Sequence, residues 1–246
     1  MINYKIHKLD LTDSTNSFLK GKIAKGQACE GTIVTAKGQS AGKGYGENIW
    51  ESERGKNLLL SLMLEPAFLA PAEQFYISMV TSIAVFETVY DFIFQNYVTI
   101  KWPNDIYYKK KKIAGILIEN TIAGNKLQNS IIGVGINVNQ KEFPAHLPNP
   151  VSIVNITERE FDTDEVLEEF MKRMDIWYGK LKNNKKEVIK DTYLNSLFMI
   201  DTTTKFKANG EIFNGKIRDI DDFGRIVIES KKQMLTFGFK EIEYIL

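Results

Sequence analysis

The chain has 246 residues, 43% of them hydrophobic and 26% charged, which suits one substantial core with a small second domain. Its 32 Lys and Arg stand against 31 Asp and Glu, so charge gives no reason to expect a nucleic acid or an anionic membrane as main partner. The single cysteine, Cys29, excludes an intrachain disulfide and a Cys-based metal site, and with no histidine nearby it reads as a buried or indifferent thiol rather than a nucleophile.

The first residues, Met1 to Lys5, lack the apolar stretch of a signal peptide, and no apolar run approaches the ~20 residues that cross a bilayer; the expected location is the cytoplasm. Asp13-Ser14-Thr15-Asn16-Ser17 follows, in which Asp13 or Ser14 caps a helix starting near Thr15. Strands are predicted at residues 32–36, 57–64, 97–101, 112–120 and 131–138. Two of them, Leu58-Leu59-Leu60-Ser61-Leu62 and Ile113-Ala114-Gly115-Ile116-Leu117-Ile118, are apolar almost throughout, as in the centre of a sheet covered on both faces. Phe75, Met79, Ile83, Phe86, Tyr90 and Ile93 recur at helical spacing, with Pro71 and Glu73 suited to the first turn. Val166, Phe170, Met174, Trp177 and Leu181 mark a second helix, for which Asp162 and Glu165 make a cap, and Ile189, Tyr193 and Leu197 a third. Strands before, between and after the helices predict an α+β fold, a mixed sheet covered by helices. Beyond Thr202, Asn209-Gly210, Asn214-Gly215 and Phe223-Gly224 are turn signals close enough together for a small barrel of short antiparallel strands. A domain boundary is expected near 197–203.

Four segments stand out chemically. Gly38 to Trp50 carries Gly38, Gly42, Gly44 and Gly46 with Lys43 after a predicted strand; it either brings main-chain N–H groups and a lysine against an anion or is a mobile surface loop. Neither the P-loop spacing nor the dinucleotide fingerprint fits it. In Lys101-Trp102-Pro103-Asn104-Asp105-Ile106, a turn places Asp105 near a strand end, and residues 107–111 are read as a hairpin turn leading to Lys112. Lys109 to Lys112 reads as a solvated run, but Lys112 directly precedes an apolar strand and has a second reading, pointing inward to a site. Gly133-Val134-Gly135-Ile136-Asn137 places glycines inside a strand, for a ligand lying on the backbone or for close helix packing. Asp13 to Ser17 by itself says only helix cap.

Together and in this order the four segments resemble the biotin–protein ligase family over essentially the whole chain. The family's Ser-Thr-Asn is Ser14-Thr15-Asn16, its glutamine and glycine loop ending in Trp is Gln39 through Trp50, and its Lys-Trp-Pro-Asn-Asp is intact at Lys101 to Asp105. Lys112 to Leu117 and Gly133 to Asn137 match its two remaining strands. The resemblance implies a class II synthetase-like catalytic domain over residues 1–197 and an SH3-like C-terminal barrel over 198–246. It implies that ATP and biotin are substrates and Mg²⁺ a cofactor, with no side chain assigned as a metal ligand.

The resemblance also assigns roles. Ser14, Thr15, Asn16, Gln39, Gly42, Lys43, Lys112, Gly115, Gly133 and Gly135 would line the biotin pocket. Gly44, Tyr45, Trp50, Asn104, Lys112 and Asn137 would face the nucleotide. Lys112, Lys43 and Asp105 would be the catalytic groups, the lysines neutralising phosphate charge and Asp105 acting as general base toward the acceptor lysine, whose free pKa is about 10.4. The acceptor would be a biotin carboxyl carrier protein or domain. Ser14 lies close to the start, so the resemblance is to the form without an N-terminal DNA-binding domain, working as a monomer or homodimer. Lys43 stands where the family usually has Arg, and Tyr45 and Glu47 where Arg or Gln and Gly are frequent; weaker retention of the adenylate is expected. The rival readings are a lipoate-type ligase and a biotin-binding sensor without turnover.

Overall fold

The structure is a computed structural model describing residues 1–46 and 48–245. Glu47, one of the loop substitutions noted above, lies outside the described residues.

Seven strands form a mixed sheet in the order β1-β2-β3-β7-β6-β5-β4. They are β1 (Lys5–Thr12), β2 (Thr32–Gln39), β3 (Leu58–Leu64), β4 (Val98–Lys101), β5 (Asp105–Tyr108), β6 (Lys111–Ala123) and β7 (Lys126–Ile136). Only β1 and β2 pair in parallel. Edge strand β1, Lys-Ile-His-Lys-Leu-Asp-Leu-Thr, is mostly exposed and carries too little apolar alternation to be seen in the sequence. The central strand β3 is buried at every residue, as its unbroken apolar run predicts.

Side-chain alternation along the central strands divides the two faces. Leu58, Leu60, Leu62 and Leu64 of β3, with Ile132, Val134 and Ile136 of β7, join one core with α2 (Phe75–Ile93), α4 (Thr163–Lys182) and α5 (Lys186–Asn195). On the other face Met63 and Ile131 pack with Leu19 of α1 (Thr15–Ala24) and Val34 of β2. The stretch Pro71–Ile93 corrects the expectation about apolar runs. It is long and apolar enough to cross a membrane by length and composition, with a mean hydropathy of 1.3, but in this fold most of it is core, packed against α4, α5 and the sheet.

Two caps differ from expectation. Ser14 occupies the N-cap of α1 without a side-chain cap bond; the Asp13 carboxylate instead accepts the Ser14 N–H at 2.7 Å. That bond first, and the Thr12 hydroxyl second, hold the Asp13 carboxyl below its ordinary value. Asp162 caps α4 by accepting the Asp164 N–H, not through a reciprocal box with Glu165. The segment read as a turn at 107–111 is also different. β5 runs through Tyr108, and the reversal is confined to Lys109-Lys110 because Tyr107 is buried and pairs with Lys112. A short helix, α3 (Ile153–Thr157), follows the loop after β7.

The C-terminal part is a five-stranded antiparallel sheet, order β11-β10-β9-β8-β12, the SH3-like unit that the turn signals suggest. Its strands are β8 (Thr204–Ala208), β9 (Glu211–Ile220), β10 (Ile226–Ser230), β11 (Gln233–Phe237) and β12 (Glu243–Ile245). Asn209 and Gly210 both have positive φ, 50° and 81°, in the β8–β9 hairpin, the backbone a primed turn requires. Asn214-Gly215 makes no turn: it lies inside β9, where a Cβ on Gly215 would sit 2.4 Å from Ile228 Cγ2 of β10.

The two sheets share one core. Ile217, Ile220, Ile226 and Ile228 belong to the same apolar cluster as α2 and β3. The Trp102 indole N–H donates to the Gly224 carbonyl at 2.9 Å, and Lys101 Nζ lies over the rings of Tyr107 and Tyr244. Cys29 is exposed rather than buried, which leaves the indifferent thiol of its two expected forms, and it lines none of the cavities described below.

Candidate active site

Strand register brings three glycines together. Gly115 of β6 stands directly opposite Gly135 of β7, and Gly133 of β7 is flanked by Leu117 and by Ser61 of β3. All three face away from the α2 core, leaving a floor of bare backbone on the central sheet. Side chains from other segments lie on it. A Cβ on Gly135 would come within 2.4 Å of Trp50 Cε2, one on Gly115 within 2.8 Å of Trp50 Cζ3, and one on Gly133 within 2.5 Å of Asn16 Oδ1. The strand glycines therefore serve close approach: Gly133 to Asn16 of α1, which is the helix packing that was one of its two readings, and Gly115 and Gly135 to the Trp50 ring.

Beside the floor lies a buried polar cluster. The Gln39 Oε1 accepts from both the Thr15 N–H (2.7 Å) and the Thr15 hydroxyl (3.0 Å), which leaves the Gln39 amide NH₂ as donor. The Ser61 hydroxyl bridges Thr15 Oγ1 at 2.8 Å and Asn16 Oδ1 at 2.5 Å, and Asn16 Nδ2 donates to Glu119 Oε2 at 2.9 Å. Ser14, Thr15, Asn16 and Ser61 are all buried. With Gln39, Lys43, Trp50 and the glycines, the first three line a cavity of about 40 Å³.

The glycine loop folds as a small hairpin over this cavity. Lys43 and Ile49 form an isolated bridge, Trp50 N–H donates to Gly42 O, and Gly44 N–H to Asn48 O. Gly42 is where the two arms touch, since a Cβ there would lie 2.3 Å from Trp50 O. The hairpin lays the Trp50 indole on the floor with its Nε1 buried and lacking a hydrogen-bond partner. Lys43 lines the cavity, whereas Tyr45 points away from it, toward the C-terminal sheet, and Gly44 lines the outer side of the loop.

Lys112 and Asp105 meet at the far end of the floor, Nζ to Oδ1 at 2.7 Å. A β-bulge brings them together. The β5–β6 register shifts between Ile106 and Tyr107, so Asp105 pairs with Gly115 but Tyr107 pairs with Lys112. In a regular strand residues 112 and 115 would face opposite sides; the extra residue turns Lys112 to the glycine side. Its side chain therefore lies on the glycine face, beside Gly115 and Asp105. Asn104 anchors the hairpin that carries Asp105, its Nδ2 donating to Ile116 O at 2.6 Å. Asn104 lines a neighbouring cavity, but that donor is spent on backbone.

Beyond Lys112 the pocket opens into a cavity of about 460 Å³, lined by Trp50, Lys112, Asn137, Phe143, His146 and Pro148 among others. Asn137 is buried and donates to Val151 O at 3.1 Å. The His146 ring nitrogen lies 2.6 Å from Glu51 Oε1 across the mouth. Reasoning from the sequence missed Phe143, His146 and Pro148, which carry no periodicity. It also missed Ser61, the polar interruption of an apolar strand and so a signal, and Glu119, the first polar residue after the apolar run of β6. Among the described residues no group of three or more His, Cys, Asp or Glu side chains converges as a metal cage.

The model of the biotin/lipoate A/B protein ligase family matches residues 9–137, a span that includes every one of these positions from Ser14 to Asn137. The chain is 29% identical over 226 residues to the bifunctional ligase/repressor BirA of Bacillus spizizenii, covering 90% of this chain and 69% of that protein. It is 25% identical over 220 residues to the biotin–[acetyl-CoA-carboxylase] ligase of Mycobacterium tuberculosis, covering 89% and 80%. Among solved structures, biotin protein ligase from Aquifex aeolicus in complex with biotin and ATP aligns with a TM-score of 0.82 at 25% identity, over 98% of both chains. With more than half its length matched by the family's model, the chain belongs to the biotin/lipoate A/B protein ligase family.

Proposed function

We propose that this chain is a biotin–protein ligase: it joins biotin to ATP as biotinyl-5'-AMP and passes the biotinyl group to a lysine of a biotin carboxyl carrier domain. The observation that carries the reading is the sequence of subsites along one sheet face. A buried amide and hydroxyl cluster stands at one end, a side-chain-free floor runs from it, and an ammonium stands where the floor meets the larger cavity. A ureido ring offers N–H donors and a carbonyl acceptor, which Ser14, Thr15, Asn16 and Gln39 complement. A dithiolane offers neither and would give the Gln39 amide NH₂ no acceptor, which favours biotin over lipoate.

In the first step a biotin carboxylate oxygen attacks the α-phosphorus of ATP and pyrophosphate leaves. Lys112 binds both reacting anions, and Lys43 adds charge from the glycine loop. Mg²⁺, arriving with the nucleotide, would neutralise charge on its phosphates. Trp50 and the loop over the floor exclude water from an easily hydrolysed mixed anhydride. In the second step Asp105 takes a proton from the acceptor lysine, whose neutral amine attacks the biotinyl carbonyl carbon; the bond from that carbon to the phosphate oxygen breaks and AMP leaves with the electron pair. Asn137 and Phe143 wall the adenine end. Residues 1–197 form the catalytic unit and 198–246 the SH3-like unit. The protein works in the cytoplasm as a monomer or homodimer, with no nucleic acid or membrane partner.

The test is ATP-dependent transfer of labelled biotin to a purified carrier domain, with Lys112→Ala alongside. Transfer by the wild type and its loss in the variant is the expected result. Transfer of lipoate instead, or biotin binding without turnover, would overturn the reading.

A further inference from the structure

Asn16 of α1 is buried and lies flat on the bare backbone of β7: a Cβ on Gly133 would meet its Oδ1 at 2.5 Å and its Nδ2 at 3.1 Å. Shape fixes where this amide sits but not which way round, because its oxygen and its NH₂ are nearly the same size. Two neighbours decide that. On one side is Glu119, which follows Gly115 and Leu117 on the same face of β6. Its carboxylate offers acceptors only, and Asn16 Nδ2 donates to its Oε2 at 2.9 Å. The other carboxylate oxygen lies 3.8 Å from Lys20 Nζ, one turn further along α1. On the other side is the Ser61 hydroxyl, 2.5 Å from Asn16 Oδ1. Glu119 thus turns the amide oxygen inward, toward Ser61.

Protons are scarce in the cluster that results. Gln39 Oε1, Thr15 Oγ1, Ser61 Oγ and Asn16 Oδ1 form a chain with O···O contacts of 3.0, 2.8 and 2.5 Å. Both ends are amide oxygens, which only accept, and the Thr15 N–H on Gln39 Oε1 fixes that end as Glu119 fixes the other. The two hydroxyls supply one proton each for the three contacts. With a proton given to each end, the Thr15 and Ser61 oxygens face each other, buried, with no hydrogen between them. The chain is one donor short, and Glu119 makes it so. With Asn16 turned over, Nδ2 would donate to Ser61, Ser61 to Thr15 and Thr15 to Gln39, and the cluster would be complete by itself. As Asn16 stands, a ligand N–H on Gln39 Oε1 releases the Thr15 proton to Ser61. Every contact is then bonded, through the rotation of one hydroxyl.

Resting on the ligase reading, we propose that Glu119 is a positioning residue that sets the hydrogen-bond polarity of the biotin pocket through Asn16. It does not line the 40 Å³ cavity itself. By holding the Asn16 oxygen inward it leaves the cluster incompletely bonded on its own and complete with a ureido N–H, so that the ligand gains what the protein alone lacks. Gln39 then meets the ureido group with both ends of its amide, Oε1 toward an N–H and NH₂ toward the carbonyl. Preference for a ring that donates and accepts side by side is set by a carboxylate standing behind Asn16.

Biotin calorimetry and thermal melting of the full chain test this, with Glu119→Gln and Lys20→Ala compared with wild type. A glutamine at 119 can offer its own NH₂ to Asn16 Oδ1, which lets the Asn16 amide turn over and complete the cluster without a ligand. The expected result for Glu119→Gln is a rise of about tenfold in the biotin Kd, the size of one buried hydrogen bond, with a melting temperature no lower than that of wild type. Lys20→Ala removes an exposed ion pair but leaves Asn16 facing Glu119, and should bind biotin within about twofold of wild type. An unchanged biotin Kd in Glu119→Gln would overturn the proposal, as would an equal loss of affinity in Lys20→Ala. So would a fall in melting temperature alongside the lost affinity, the mark of a merely structural carboxylate. Wild type that binds no biotin would instead overturn the ligase reading itself, so the two failures are distinct.

Discussion

Lys112 Nζ and Asp105 Oδ1 lie 2.7 Å apart, on neighbouring strands whose register slips by one residue between them, with Lys112 in the walls of both the cavity of about 460 Å³ and a neighbouring one of about 180 Å³. On the proposed reading, a cation for two anions and a carboxylate for one proton stand in contact, and the two chemical steps would draw on the pair in turn. Lys112→Ala should slow adenylate formation by roughly a hundredfold to a thousandfold, the usual cost of removing one preorganised charge from the transferring group. Asp105→Asn should leave adenylate formation within a few fold and slow transfer to the acceptor by about a hundredfold, with a flattened pH dependence. Single-turnover measurements from preformed biotinyl-5'-AMP separate the steps. Full transfer rate and unchanged pH dependence in Asp105→Asn would remove it as the base.

Trp50 is the next test. Its ring lies directly on the glycine floor, 2.4 Å from where a Cβ on Gly135 would sit and 2.8 Å from one on Gly115. A bicyclic ligand on the glycine floor must lift the indole away, so biotin should change the emission of Trp50. The signal should vanish in Trp50→Phe. An unaltered spectrum at saturating biotin would place the ligand elsewhere.

Gly135→Ala sets a methyl 2.4 Å from the Trp50 ring, closer than packed atoms allow. The floor then carries a side chain where the ligand should lie, and overpacking of this kind costs about 1–3 kcal/mol. The expected outcome is a tenfold or greater loss of biotin affinity by calorimetry with little change in ATP binding. Equal affinity would show that the floor is not the biotin site.

Ser61→Ala removes a fully buried hydroxyl that links Thr15 and Asn16. Leaving Asn16 Oδ1 short of its donor should cost about 1–3 kcal/mol of stability in denaturant unfolding, together with weaker biotin binding. Normal stability but weakened binding would limit Ser61 to aligning the pocket.

Glu30 ties the β2 entrance to α4. Burial works to raise its carboxyl pKa, but the Lys182 ammonium, the Glu65 N–H and the Tyr178 hydroxyl outweigh it and hold the value below the ordinary 4.5. A carboxyl depressed in the folded state stabilises above its unfolded pKa and loses that contribution as pH falls through the folded one. Glu30→Gln should therefore destabilise by about 1 kcal/mol at neutral pH, a figure kept small by solvent screening. The difference from wild type should shrink below pH 4.5. A difference independent of pH would mean that packing, not charge, is lost.

Much of this was legible in the chain because it is local. The apolar run of β3, the 3.6-residue period of α2 and α4, and Asn209-Gly210 each declare their element through neighbours a few residues away. The order of Ser14-Thr15-Asn16, the glycine loop, Lys101 to Asp105, and the two glycine-bearing strands was enough to reach the ligase family. What no local pattern carries is pairing at a distance. Gly115 faces Gly135, and Lys112 turns to the glycine side, only because cross-strand register and one bulge say so. Ser61 joins the buried polar cluster only because α1 is laid across β3. Phe239 and Lys240 read as an ordinary turn until the shared core of the two sheets sets that turn against Tyr45. Periodicity is a property of a segment, whereas register and docking come from burying many segments at once, and that is why the chemistry's residue types were visible in the sequence but their meeting was decided by the tertiary structure.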